Sequence, residues 1–377
     1  MSTEAAAVTR PSVDLARVKA WLPKYGVYAA IVLLVLYNVM FTPNFLTWSN
    51  LRIQLIQVAP IVIVALGMAL VIGTEGIDLS VGSVMALAAA LIPLYLGYGV
   101  IAAILVSIVA GVVVGSINGT LVAKVGLQPI VATLALFVGG RGLALVISGG
   151  QLKDVRNSDF LYLGSGDLLG LPVLVWIAAV LVLVVAFLVR RTVFGRRLLA
   201  IGGNRASAEL AGLPVKRVLI TVYVVCSVLA SIAGVLAVAR IQSSDASAVG
   251  LLIELSAITA VVVGGTPLTG GKVRVLGTVA GALLIQLVVA TMIKHNLQPS
   301  TTEMVQAVPE EALNKVIAKI PTGRLGAGPS APTASSASCS ARARSRCSWW
   351  WSSSRPRPGR TSARSTTPRR SWSGRRR

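Results

Sequence analysis

Charge, acid and histidine are all scarce in this chain. Of its 377 residues 13% are charged, where a soluble domain carries roughly 25%, so a water-soluble globular class is excluded. His295 is the only histidine, which rules out paired-histidine metal sites and leaves any Ser/His/Asp arrangement resting on one residue, flanked by Lys294 and Asn296 in what reads as a solvated loop. The three cysteines are Cys226 in an apolar run and Cys339 and Cys347 near the C-terminus, with no spacing that suggests a disulfide framework or a zinc site. They read as structurally incidental. What the chain does have is apolar sequence: 55% of residues are hydrophobic and the mean hydropathy is +0.78. This composition predicts a membrane protein.

A bilayer-crossing helix needs about 20 mostly apolar residues. Nine stretches qualify or nearly so: Gly26 to Phe41, Val58 to Gly73, Val81 to Leu96, Val100 to Val122, Pro129 to Ile147, Leu171 to Val189, Val218 to Val238, Leu251 to Val263 and Val275 to Ile293. A tenth starts near Thr302 and is interrupted at Pro309, Glu310 and Glu311, because proline removes a helix donor and acids oppose insertion. The fold expected is therefore all-α, a polytopic helical bundle of about nine to ten transmembrane helices. Val81 to Leu96 and Leu251 to Val263 are short, and Glu254 lies within the second. Both are candidates for broken or re-entrant helices, which are tolerated only where protein or a water-filled cavity covers the free backbone groups.

The N-terminal residues 1–25 are polar and no small-residue cleavage site follows the first apolar stretch, so they read as a cytoplasmic segment and not a signal peptide. Residues 26–308 form the transmembrane domain. The formal charge of +22 does not indicate a nucleic-acid partner: thirteen arginines, with no lysine and no acid, lie between Arg324 and Arg377, leaving +9 for everything else. Residues 309–377 are a basic, low-complexity stretch, read either as disordered or as out-of-frame translation of GC-rich DNA.

With the N-terminus placed in the cytoplasm, alternate loops carry Lys124, then Arg190, Arg191, Arg196, Arg197, Arg205, Lys216 and Arg217, then Lys272 and Arg274. The opposite loops hold Arg52, a mixed set from Lys153 to Asp167, Arg240 with Asp245, and Lys294. The positive-inside rule favours this orientation.

Against that background the stretch "GTEGIDLSVGS", Gly73 to Ser83, places two acids between apolar runs. Asp78 suits a helix N-cap, where its oxygen accepts a free N–H and its charge meets the positive helix end. Ser80 could cap equally. Glu75 either is hydrated at the cytoplasmic edge or, as intramembrane acids usually do, faces a cavity, partner or pathway. "TPLTGGKV", Thr266 to Val273, is a near-miss for a phosphate-binding loop, but Thr266 stands where glycine is needed and Val273 where serine or threonine binds magnesium. It is rejected, so any ATPase must be a separate chain. In the long basic loop, a Gly-Gly-Asn break precedes the helix-compatible "RASAELAGL", closed by Gly212 and Pro214; this can be an anchor loop or a small helix that docks a partner.

Five stretches taken in order, "FTPNFLTWSNL", "GMALVIGTEGIDLSVGSVMALAAA", "ATLALFVGGRGLALVISGG", "GRRLLAIGGNRASAELAGLPV" and "VVVGGTPLTGG", resemble the permease subunit of ribose- and xylose-type sugar ABC importers. The resemblance implies a ten-helix permease that dimerises in the bacterial cytoplasmic membrane, receives sugar from an extracytoplasmic binding protein, and is driven by a cytoplasmic subunit that holds ATP and Mg2+. It further implies that Gly202, Asn204, Ala208 and Gly212 belong to the segment contacting that ATPase. The chain itself is then expected to hold no cofactor and to perform no covalent chemistry. Two departures stand out: Glu75, where family members more often have a small residue, and "IELSAITA", which differs from the usual "YELDAIAA" at Ile253, Ser256 and Thr259.

Glu75, Asp78, Ser80, Ser83 and Glu254 are the expected gate or translocation residues. Two rivals remain: a branched-chain amino-acid ABC permease, and an ion-coupled secondary transporter in which Glu75 and Asp78 carry protons. A non-transporting membrane scaffold is a third.

Overall fold

The computed structural model describes residues 15–295. The expected tenth span, the interruption at Pro309, Cys339, Cys347 and the basic stretch 309–377 lie outside the described residues, as do the first fourteen residues of the N-terminal segment.

The described chain is almost entirely helical. In order the helices are α1 (Leu15–Phe41), α2 (Trp48–Gly73), α3 (Val81–Tyr95), α4 (Val100–Thr120), α5 (Pro129–Ser148), α6 (Ser158–Ser165), α7 (Val173–Arg191), α8 (Val193–Gly203), α9 (Arg205–Leu210), α10 (Val215–Ile241), α11 (Ile253–Val263) and α12 (Val275–Lys294). A π-helical turn, Leu121–Val125, extends α4. Two-residue strands β1 (Lys153–Asp154) and β4 (Ser243–Ser244) pair antiparallel, as do β2 (Asp167–Leu168) and β3 (Leu171–Pro172). Among the described residues, seven helices are long and apolar enough to cross a membrane, and Tyr25–Phe41 and Ile253–Val263 are shorter apolar helices. That accounts for all nine apolar stretches.

The bundle has a centre and a rim. The most apolar stretch of α2 is 78% buried and that of α10 67%, whereas α7 and α5 reach only 22% and 17%. Exposed Val131, Leu134 and Val138 of α5 and Leu183 and Phe187 of α7 are what a lipid-facing surface requires, since lipid tails are as apolar as leucine.

Close approach at the centre comes from small residues. Gly111, Gly115 and Gly119 recur every fourth residue of α4 and so share one face. A Cβ on them would stand 2.9 Å from Ser227 O, 2.7 Å from Val224 Cα and 2.7 Å from Ile220 Cα of α10, so the two backbones touch. This is the small-residue packing that membrane helices use in place of a hydrophobic driving force. Ser231 Oγ reinforces it by donating to Ser107 O.

The α-helical part of α3, which a 3-10 turn extends to Tyr98, and the whole of α11 are each shorter than a bilayer core. Fifteen residues of α3 rise about 22 Å and eleven of α11 about 16 Å, against a core of about 30 Å. Before α11, Gly250 and Leu252 take left-handed backbone angles, φ +72° and +58°, which turn the chain inward from the β1–β4 end. The two helices meet at their starts: a Cβ on Gly82, in the first turn of α3, would fall against Gly250 O and Glu254 Oε2.

One end of the bundle carries the turn Thr74–Ser80, α8, α9 and the loop Gly264–Arg274. The other carries the two strand pairs and α6, tied to the start of α2 by a 2.7 Å Arg52–Asp167 ion pair.

Candidate functional site

The acidic turn begins where α2 stops. Thr74 Oγ1 donates back to Val71 O (2.8 Å) and Gly76 N donates to the same carbonyl. Glu75 occupies the left-handed position after the helix, φ +63°, a place that glycine usually fills because it has no Cβ to clash. The side chain of Glu75 is exposed. Partial burial raises its carboxyl above the usual value, and the guanidinium of Arg205, the first residue of α9, opposes that shift.

Three residues on, the environment reverses. Asp78 and Ser80 are fully buried. Asp78 Oδ1 accepts from Ser80 N (2.9 Å) and from Ser80 Oγ (2.6 Å). Asp78 is therefore not the helix cap expected from the sequence: it closes a turn onto Ser80, and Ser80 itself, at the N-cap position of α3, makes no side-chain cap bond. The reason is local, since an Asx side chain reaches the N–H two residues ahead more readily than one in a helix that has yet to start. Ser80 Oγ in turn accepts from Asn118 Nδ2 of α4 (2.7 Å). Ser83 Oγ donates to Ser80 O (2.7 Å) and lies 3.1 Å from Leu136 O of α5. The acid thus ties the start of α3 to α4 and α5. Asp78 Oδ2, Asn118 Oδ1, Tyr223 Oη and Ser227 Oγ are buried without a hydrogen-bond partner, so this polar cluster holds unused capacity. Cys226 is more than incidental, because its Sγ and backbone fill the space beside Gly67 of α2.

The segment Gly202 to Gly212 lies directly against that turn. Asn204 caps α9, with Oδ1 accepting from Ser207 N at 2.9 Å. Gly212 ends it with φ +74°. Ala208 is buried and fixes α9 to the body, while Asn204 and Gly212 are exposed. Leu210 is 91% exposed, an unusual state for a leucine on a polar, basic surface. Arg205 and Glu209 pair along the outer face at 3.5 Å.

Gly202 faces inward. A Cβ there would collide with Gly73 O and stand 2.7 Å from Gly271 N. Gly271 N donates to Gly73 O (3.1 Å), and a Cβ on Gly270 would lie 2.6 Å from Glu75 Cγ. Three backbones therefore meet: the end of α2, the end of α8, and the "TPLTGG" loop. That loop, which fails as a phosphate cradle, uses its glycine pair for this contact and is closed by Thr266 Oγ1 accepting from Arg274 N. These contacts are backbone to backbone, and they belong to the end of α8, the helix that immediately precedes α9.

Glu254 lies in a separate place, where the first turns of α3 and α11 meet. It is 4% exposed and its Oε2 has no partner. Across the gap left by Gly82 stands Arg141 of α5, whose Nε and Nη2 are also unpartnered; its Nη1 donates to Ser247 O (3.0 Å). Arg141 was missed in reading the sequence, although a lone arginine inside the apolar run "LFVGGRGLALV" is a signal, since charges at that depth are costly and mark function.

Residues 50–309 match the family model described as "Branched-chain amino acid transport system / permease component". The chain belongs to this permease family. Among curated relatives, the permease is 40% identical over 273 residues to a ribose import permease protein of Escherichia coli strain K12, an alignment covering 71% of this chain and 85% of that protein. It is 37% identical over 295 residues to a fructose import permease protein of Bifidobacterium longum, covering 74% and 83%. It is 40% identical over 254 residues to a galactofuranose transporter permease protein of E. coli K12, covering 67% and 74%. No solved structure matches the permease.

Proposed function

We propose that this permease is the membrane-spanning subunit of an ATP-driven importer for a monosaccharide. The observation that carries the reading is the 40% identity extending over 85% of a ribose import permease, with fructose and galactofuranose import permeases at similar levels. Those relatives favour sugar over branched-chain amino acids, although the family takes its description from the latter.

In this reading a separate cytoplasmic subunit binds ATP and Mg2+ and docks on α9, whose exposed Leu210 is an apolar anchor framed by Arg205 and Glu209. An extracytoplasmic protein delivers the sugar to the opposite end. The basic residues around α8 and α9 support a cytoplasmic position for that end, and with it a cytoplasmic N-terminus in a bacterial inner membrane. Two copies of the permease form the pathway, and rocking of the bundles exposes it to each side in turn. Asp78, Ser80 and Ser83 hold the gate end of α3 in register, Gly202 transmits the push of α9 to them, and Glu254 with Arg141 lies beside the pathway.

The test is uptake of labelled ribose by cells expressing the permease with its ATPase and binding protein. The reading predicts uptake that follows cellular ATP and survives an uncoupler when ATP is held high. Uptake that collapses with the uncoupler at constant ATP would instead favour the ion-coupled rival, with Glu75 as proton carrier.

A further inference from the structure

A cavity of about 370 Å³ lies between α2, α10, α12 and the inward-turning segment before α11, lined among others by Gln57, Pro60, Met85, Arg240, Gly250 and Gln286. We propose that this cavity, within a single copy of the chain, is a binding site for one uncharged, hydroxyl-rich ring the size of a monosaccharide. The proposal rests on the importer reading above and adds the location and recognition chemistry of the solute.

Size is the first argument. Small-molecule sites run from about 300 to 1,000 Å³ and are mostly apolar with a few converging polar groups. This cavity is at the lower end, suited to a single ring. Its apolar walls include Pro60, Ile61, Met85 and Ile253.

The polar groups are the second. Gln286 is buried, and its Nε2 donates to Gln57 Oε1 at 2.6 Å and to Gln54 Oε1 at 3.2 Å. Two of these amides, Gln57 and Gln286 from facing helices, lie at the cavity wall, with Gln54 behind them, and each retains further donor or acceptor capacity. Paired amides that both donate and accept match hydroxyl groups, which do the same. Arg240 Nε is buried without a partner, and buried donors are rarely left so unless water or a ligand completes them. The charge of Arg240 does not call for an anionic ligand, because it stands in the last turn of α10, where the helix dipole favours a cation. The lining residues include no acid.

The floor is the third. Gly250 contributes to the cavity and also abuts α3: a Cβ on it would stand 2.6 Å from Gly82 O and 2.9 Å from Met85 Cβ. Glu254 and Arg141 border the same Gly82 position, and Ser83, Ser80 and Asp78 lie beside it in the chain. A bound ring therefore rests on the junction of the first turns of α3 and α11, with Arg240 and Ile241 at the end of α10 lining its other side.

The experiment uses the assembled importer, with ATPase and binding protein, in proteoliposomes. Ala248, an exposed residue lining the cavity, is replaced by cysteine, with Cys339→Ser and Cys347→Ser and the buried Cys226 kept. Labelling by a charged methanethiosulfonate reagent is measured with ribose, fructose or gluconate present, and labelled ribose and fructose uptake is measured for wild type and Gln286→Leu. The proposal predicts that a transported neutral sugar slows labelling at least fivefold while gluconate does not. It also predicts that Gln286→Leu lowers uptake about tenfold with the ATPase still copurifying. Labelling unaffected by a sugar that the wild type transports, or uptake unchanged in Gln286→Leu, would overturn the site and leave the importer reading intact. Protection by gluconate alone would overturn the uncharged assignment. A wild type that takes up neither sugar would count against the sugar reading itself, and the site's ligand would fall with it.

Discussion

The turn Thr74–Ser80 and the segment Gly203–Gly212 are both brief polar interruptions between apolar helices, yet they are built in opposite ways. The first ends in a fully buried acid whose bonds run to Ser80 and on through Asn118 to another helix. The second exposes its apolar residue, Leu210, and keeps its polar groups for its own caps and one surface ion pair. A buried polar network fixes geometry because each unmade bond is costly; an exposed apolar side chain is free to be covered by something else. The two are joined by glycine backbones at Gly73, Gly202 and Gly271, and in the proposed reading they are parts of a single device.

The sharpest way to break that device is at the joint. Gly202→Val pushes two methyl groups into Gly73 O, and overpacking of this kind costs about 3 kcal/mol or more; the expected result is loss of folded protein by size-exclusion and thermal melting in detergent. Asp78→Ala comes next. It removes the acceptor of both Ser80 donors, at about 2 kcal/mol, and should lower the melting temperature and impair transport strongly, while Asp78→Asn should recover part of the stability because its oxygen can still accept.

On the exposed side the expected effects move from folding to association. Leu210→Asp should leave the melting temperature unchanged and weaken ATPase binding about tenfold, as loss of an apolar interface anchor does; pull-down at graded salt measures it. Glu75 gives the smallest effects. Glu75→Gln should change stability by less than about 0.5 kcal/mol with transport nearly intact, whereas Glu75→Gly, which suits the left-handed position, should raise stability by up to about 1 kcal/mol. A dead but assembled Glu75→Gln would shift the acid from the turn's geometry to proton coupling.

Much of this architecture is legible in the residues. Apolar runs mark all nine of the apolar helices because hydrophobic length is a local property, and the shortness of Leu251 to Val263 matches the short helix α11, whereas Val81 to Leu96 forms a helix that its 3-10 turn extends to Tyr98, long enough to span. What stays hidden depends on partners distant in sequence. Asp78 reads as a cap because "Asp-Leu-Ser" before an apolar run has that local form, and its actual bonds involve Ser80 and, through it, Asn118. Gly111, Gly115 and Gly119 form a visible period, but their partner α10 lies a hundred residues away. The glycines of "TPLTGG" invite comparison with phosphate loops until Gly202 is found pressed against them. Arg141 is legible as a lone charge in an apolar run, but its surroundings, Ser247 O and Glu254, come from segments about a hundred residues away.

The account's central claim is that the chain is a passage moved from outside by force applied at α9. The direct test is sugar accumulation in proteoliposomes containing the purified permease alone, then with binding protein, then with the ATPase subunit and ATP. Accumulation against a gradient only in the complete, ATP-supplied system is the predicted result. Accumulation or ATP hydrolysis by the permease alone would contradict it.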